Sequence, residues 1–185
     1  MKNYDIYTMC RSGNHAIIFW ILENLGGTKD LIDGCCYWND ETGVYFYNNC
    51  NHYNYNFLKN YNYMIKSYED VYDPKNNNEK IIIIRDFINL ISSRYRKYGE
   101  NLGLNWSYLM DLKEIIQLWK KQLDEILRGN ATGIIYNRWL NEKEYRDSIA
   151  DKIDIPNIYD KTDYVSNIGE GSSFCGVNLE TSKDD

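Results

Sequence analysis

The chain has 185 residues, of which 43% are hydrophobic and 26% charged, values that suit one globular domain and exclude a disordered chain. Lysine and arginine number 21 against 27 aspartates and glutamates, a net charge of −6, so the chain is a poor generic binder of nucleic acid and any basic patch must be local. The longest apolar run, residues 16–22, is far shorter than a membrane span, and residues 1–5 carry no apolar core of signal-peptide type.

These features predict a soluble, cytoplasmic protein with neither nucleic acid nor membrane as a partner. Five cysteines, an odd number with no C-x-x-C pair, fit a reducing compartment better than a disulfide framework. Cys50 and His52 lack a second ligand pair at suitable spacing, so no metal centre is expected.

Tyr4 to Met9 reads as a first strand that enters a turn at Cys10 to Gly13. From Asn14 to Leu25 apolar residues fall on nearly every side, which predicts a buried helix stopped by Gly26-Gly27. Val44 to Tyr47 suits a short strand. The surrounding stretch, residues 28–63, mixes tyrosine and asparagine with little periodicity and reads as an acceptor-side insertion. Tyr63 to Ser67 predicts another strand, ending at Tyr68-Glu69-Asp70.

Ile81 to Ile84, four β-branched residues in a row, predict a central parallel strand covered on both faces. Asn89 to Tyr98 should be helical, and the three- and four-residue apolar spacing from Tyr108 to Leu127 is the clearest amphipathic helix of the chain. Gly133 to Tyr136 is the next strand, and Asn141 with Glu144 suggests a capping box for a helix through Ile153. Strands alternating with helices predict a single-domain, three-layer α/β/α fold over residues 1–185, with a central, mainly parallel sheet and ligands at the strand C-terminal ends.

Two segments carry the chemistry. Cys10-Arg11-Ser12-Gly13-Asn14-His15 and Arg85 through Arg94 each follow a strand and open a helix, where backbone N–H groups and the helix dipole hold anions. The first is not a Walker A loop, because it has one glycine and no Lys-Ser/Thr pair. Gly13 lets backbone approach an oxyanion, Ser12 and Asn14 supply donors, and Arg11 supplies a permanent forked charge. Arg85 and Ser93 suit a second phosphate. Each residue also has an ordinary reading: Arg11 as a surface arginine, Arg85 paired with Asp86, Ser93 bonded to the Asn89 carbonyl, and His15 as a packing histidine.

The first loop resembles that of the sulfotransferase family, whose members use 3′-phosphoadenylyl sulfate and carry a basic residue, Ser and Gly directly after the first strand. Arg11-Ser12-Gly13 match it, with Asn14 and His15 where Thr or Ser is usual and Cys10 where Pro is common. The family's second motif is an arginine after an apolar strand with a serine eight positions on, the spacing of Arg85 and Ser93. Ile135 to Trp139 look like the later strand whose tyrosine, here Tyr136, lies near the adenine. Gly169 to Phe174, with Ser172 and Ser173, resemble the C-terminal loop that closes over the nucleotide. The resemblance spans most of residues 4–176, and the chain is short for the family.

The resemblance implies a P-loop NTPase-like fold and transfer of a sulfuryl group from 3′-phosphoadenylyl sulfate to an acceptor hydroxyl or amine. The product is adenosine 3′,5′-bisphosphate, and the acceptor is a small molecule, glycan or peptide. In that scheme Arg11 neutralises the leaving phosphate oxygen, Arg85 and Ser93 hold the 3′-phosphate, and no metal takes part. Lys66-Ser67 match a family Lys-Thr/Ser pair, which makes Lys66 a catalytic candidate. Tyr68 stands at the usual histidine position, so Glu69 is the first choice for general base, Asp70 the second, and His52 and His15 outsiders. Two other readings fit part of the pattern: a P-loop-like small-molecule kinase, and a non-catalytic nucleotide-binding module.

Overall fold

A computed structural model describes residues 2–26, 36–39, 43–48, 62–74, 76–95, 112–160 and 162; at 36–39, 47 and 48 it describes the backbone alone. Six strands form one sheet: β1 (Lys2–Thr8), β2 (Cys36–Asn39), β3 (Val44–Asn48), β4 (Tyr63–Glu69), β5 (Glu79–Ile84) and β6 (Thr132–Ile135). Their spatial order is β2-β3-β4-β1-β5-β6. All neighbouring pairs are parallel except β2–β3, so a five-stranded parallel sheet carries one antiparallel edge strand. The helices are α1 (Asn14–Asn24), α2 (Phe87–Arg94), α3 (Leu112–Leu127), α4 (Tyr136–Asn141) and α5 (Lys143–Lys152).

Alternation along the strands sends side chains to two different cores. Tyr4 and Ile6 of β1, Ile65 of β4, Ile81 and Ile83 of β5 and Ile134 of β6 pack with α1, with Trp139 of α4 and with Ile149 of α5. On the opposite face Tyr7 and Ile82 meet Tyr72, Leu118 and Ile126, while Met9 packs with Leu90 of α2 and Ile115 of α3. The sheet is therefore covered on both sides, which makes a three-layer α/β/α fold. All four isoleucines at 81–84 are buried because β5 lies inside that sandwich. Every residue from Ile17 to Leu22 is also buried, so α1 needs no polar face.

Several boundaries differ from the sequence reading. β4 runs on to Glu69, paired through that residue with Thr8 of β1, which delivers the carboxylate to the end of the sheet. α2 starts at Phe87, because Asp86 is its N-cap: the carboxylate accepts the backbone N–H of Asn89 at 2.9 Å. The proposed capping box at Asn141 does not form. Asn141 ends α4 and donates to the Asn137 carbonyl at 2.8 Å, and α5 starts without a side-chain cap. Tyr136 is likewise not on a strand: β6 ends at Ile135 and Tyr136 is the first residue of α4. Within residues 28–63 the antiparallel β2 has no clear alternation to announce it; an edge strand of four residues carries little periodic signal.

Candidate functional site

Chain order and spatial order diverge at β1. From β1 the chain crosses to the far edge strand β2 and returns through β3 to β4, then passes over β1 to β5 and β6 on the other side. In open α/β sheets the crevice at such a reversal, beyond the strand C-termini, is where ligands bind. Residues 10–13 sit there, between the ends of β4 and β5.

This loop is tightly folded. Arg11 (φ 71°) and Gly13 (φ 82°) are both left-handed and flank Ser12, whose N–H donates to the Met9 carbonyl at 3.0 Å. A left-handed arginine costs about 1–2 kcal/mol, so neighbouring contacts must impose it. They do. The Cys10 N–H donates to Asp70 Oδ1 at 2.9 Å, Arg94 Nε donates to the Cys10 carbonyl at 3.0 Å, and the Arg94 guanidinium pairs with Asp70. Arg94 is 5% exposed and Asp70 half-buried, so a partly buried ion pair clasps the loop.

Gly13 is the N-cap of α1 and has no side chain to cap the helix, and the first turn holds no acidic residue. The first N–H groups of a helix have no intrahelical partner, and with the positive end of its dipole they favour an anion. Ser12 is 1% exposed, and its Oγ has no hydrogen-bond partner among the described residues. A buried hydroxyl in that state costs stability unless something satisfies it. Together these features make residues 10–15 a candidate anion cradle.

The cations gather on the side toward β5. Arg11 Nε donates to Ser93 Oγ at 3.4 Å, bringing the loop after β1 against α2. Arg85 leaves the end of β5 with its guanidinium 5.4 Å from the centre of the Tyr136 ring, a cation–π arrangement. Its carbonyl accepts Trp119 Nε1–H at 3.0 Å, which fixes the residue's backbone. Burial works against the Arg85 charge, as does the nearby Arg11, while Tyr136 and the Asp86 carboxylate favour it. The Tyr136 ring in turn lies on Gly13, where a Cβ would fall 2.2 Å from Cδ2 and Cε2. Only glycine admits that approach.

The carboxylate side lies at the end of β4. Asn14 Nδ2 donates to Glu69 Oε1 at 3.0 Å and to Thr8 Oγ1 at 3.3 Å. Glu69 is exposed at the rim, yet the protein around it pushes its carboxyl above the ordinary value, as does the Asp70 charge. The bond from Asn14 and the charges of Arg94 and Arg11 act the other way. His15, half-buried in the first turn of α1, is held below the ordinary histidine value by burial and by Arg11.

The structure thus gathers Arg11, Ser12, Gly13, Asn14, Arg85, Ser93, Tyr136 and Glu69 about the C-terminal end of the sheet, with His15 beside them. Lys66 stands apart. It precedes Glu69 by three strand positions, which puts it about 10 Å back along β4 and on the opposite sheet face. Ser172, Ser173 and His52 lie outside the described residues. Asp70, the second choice for base, is committed to Arg94 and the Cys10 N–H. Sequence reasoning missed Arg94 and Thr8. The only signal for Arg94 is that it neighbours Ser93 on a short helix, so the two flank the same loop.

Among the described residues, no group of three His, Cys, Asp or Glu side chains could hold a metal ion, and no helix is long and apolar enough to cross a membrane. Comparison with protein-family models, with curated proteins and with solved structures finds no match for this chain.

Proposed function

We propose that this chain binds 3′-phosphoadenylyl sulfate in a P-loop-like site and transfers its sulfuryl group to an acceptor hydroxyl or amine. The observation that carries the reading is the contact between Arg11 and Ser93. Each belongs to a different anion-binding motif of the sequence, and a donor charged at two places needs both motifs within one molecule's reach. The uncapped start of α1 and the buried Ser12 hydroxyl support an anion at the first motif.

In this scheme the loop N–H groups and Ser12 hold the phosphosulfate, and Arg85 with Ser93 holds the 3′-phosphate. The acceptor oxygen or nitrogen bonds to sulfur as the bond from sulfur to the bridging phosphate oxygen breaks. The leaving oxygen keeps the electron pair as part of adenosine 3′,5′-bisphosphate, and Arg11 neutralises its growing charge. The acceptor proton passes to Glu69, whose raised proton affinity suits a base. Tyr136, pressed between Gly13 and Arg85, serves as a wall that orients the arginine. The acceptor side is assigned to residues 28–63.

A phosphoryl-transfer reading fares worse at one position. Asn14 stands in the part of the loop where a P-loop kinase needs its Lys-Ser/Thr pair, and its amide is turned to Thr8 and Glu69. The deciding experiment is nucleotide binding: adenosine 3′,5′-bisphosphate against AMP, and against ATP with Mg²⁺.

A further inference from the structure

The sequence assigns Asn14 to the donor, as one more amide in an anion loop. Its surroundings assign it elsewhere. Asn14 is 7% exposed, and its side chain points across the end of the sheet to β4 rather than into the cradle. An Asn amide nitrogen has two hydrogens. One is directed at Glu69 Oε1, 3.0 Å away, and the other at Thr8 Oγ1, 3.3 Å away. An ionised carboxylate can only accept, so Glu69 itself dictates which end of the amide faces it. Thr8 Oγ1 in turn donates to the Tyr68 carbonyl at 3.5 Å, which frees a lone pair for Asn14 and completes a relay from the β4 backbone to the Glu69 carboxylate.

Thr8 and Glu69 are also register partners on adjacent parallel strands. Asn14, at the first position of α1, therefore bridges a strand pair to the helix that carries the cradle. The groups facing the carboxylate are Asp70 beside it, Arg94 from α2, Arg11 from the loop and Asn14 from α1. Asn14 is the one neutral member of that set, and among the described contacts it is the one that bonds the carboxylate directly.

We propose that Asn14 is a positioning residue, which fixes the Glu69 carboxylate at the rim of the anion loop, rather than a ligand of the donor. The proposal rests on the reading of Glu69 as the acceptor's base. It adds how the loop that holds the donor also aims that base. A hydrogen bond donated to a carboxylate favours the charged form, so its loss moves the group's titration to higher pH. Replacing the amide by a carboxylate moves it further, because two like charges at that distance resist ionising together.

The test is the Glu69 titration itself, followed by carbon NMR on protein labelled at glutamate carboxyls, with the resonance assigned by its loss in Glu69→Gln. The expected order of midpoints is wild type, then Asn14→Ala, then Asn14→Asp, each higher than the last. Asn14→Asp is nearly isosteric and carries the test should Asn14→Ala fail to fold. Midpoints that coincide in all three proteins overturn the proposal. The measurement needs no nucleotide. A parallel titration with adenosine 3′,5′-bisphosphate separates the two levels: no binding at any pH sinks the donor reading, while the ordered midpoints still establish what Asn14 does. Conversely, tight binding with coincident midpoints keeps the donor and removes Asn14 from the base's support.

Discussion

Arg11 and Ser93 are 82 positions apart in the chain, and the Arg11 Nε donates to the Ser93 hydroxyl across 3.4 Å. Such a bond is long and worth little by itself. Its importance is positional, because it brings the loop after β1 against the helix after β5 at the point where the sheet's strand order reverses. Ser93 is 1% exposed, so this junction is packed rather than draped over the surface.

A ligand that fills both anion positions should stabilise the fold more than one that fills a single position. Adenosine 3′,5′-bisphosphate is therefore expected to raise the melting temperature above the shift given by AMP at equal concentration. Equal shifts, or a shift with ATP and Mg²⁺ alone, would remove the sulfuryl-transfer reading.

Arg85 and Arg11 are assigned different tasks. Arg85→Ala should weaken bisphosphate binding by about 1.5–3 kcal/mol, roughly 10- to 150-fold, the scale of a lost charged hydrogen bond. Arg11→Ala should lower turnover more than affinity, because its charge matters most as the leaving oxygen develops. Calorimetry with the bisphosphate and steady-state kinetics separate the two; identical defects contradict the division.

Glu69→Gln preserves shape and removes the proton acceptor. Turnover should fall by roughly 10²–10⁴-fold, the usual span for loss of a general base. With Glu69 intact, turnover should decline as pH falls through its titration, because only the ionised form accepts the proton. The protein around the carboxyl and the Asp70 charge raise its proton affinity, so that decline is expected above the ordinary glutamate range. An acidic limb unchanged in Glu69→Gln would transfer the role to another group.

Gly13 and Tyr136 should behave as one unit. Gly13→Ala places a methyl 2.2 Å from the Tyr136 ring carbons at a left-handed position, so a loss of about 2–4 kcal/mol in urea unfolding is expected. In a Tyr136→Ala background the steric part disappears, and the same substitution should cost about 1 kcal/mol, the backbone share alone. Additive losses in the double-mutant cycle would show that ring and glycine do not touch.

The clasp beneath the loop is open to the same approach. Arg94→Leu removes the cation paired with the Asp70 carboxylate and leaves it the Cys10 N–H among its described partners, and should destabilise by about 3 kcal/mol. Combining it with Asp70→Asn should cost less than the sum of the two single losses, since neither variant then strands a charge. The same unfolding series measures both.

Much of this architecture is legible in the sequence because its signals are local. The four isoleucines at 81–84 announce a strand covered on both faces, and β5 is one. The all-round apolar run after Gly13 announces a buried helix, and α1 is one. Gly13 announces the tight turn between the first strand and helix, and it is the left-handed N-cap of α1, because glycine's backbone freedom acts within a few residues.

Only the tertiary structure decides which strands flank β1, and that choice brings Arg11 of the first segment against Ser93 of the second. It alone turns Asn14 away from the cradle to Glu69, 55 positions on, and seats Arg94 beneath Cys10, 84 positions back. It places Tyr136 at the head of a helix rather than on a strand. Periodicity and turn chemistry report on neighbours along the chain. Hydrogen bonds and ion pairs between distant segments depend on the parallel crossovers that set strand order, and no local pattern encodes those.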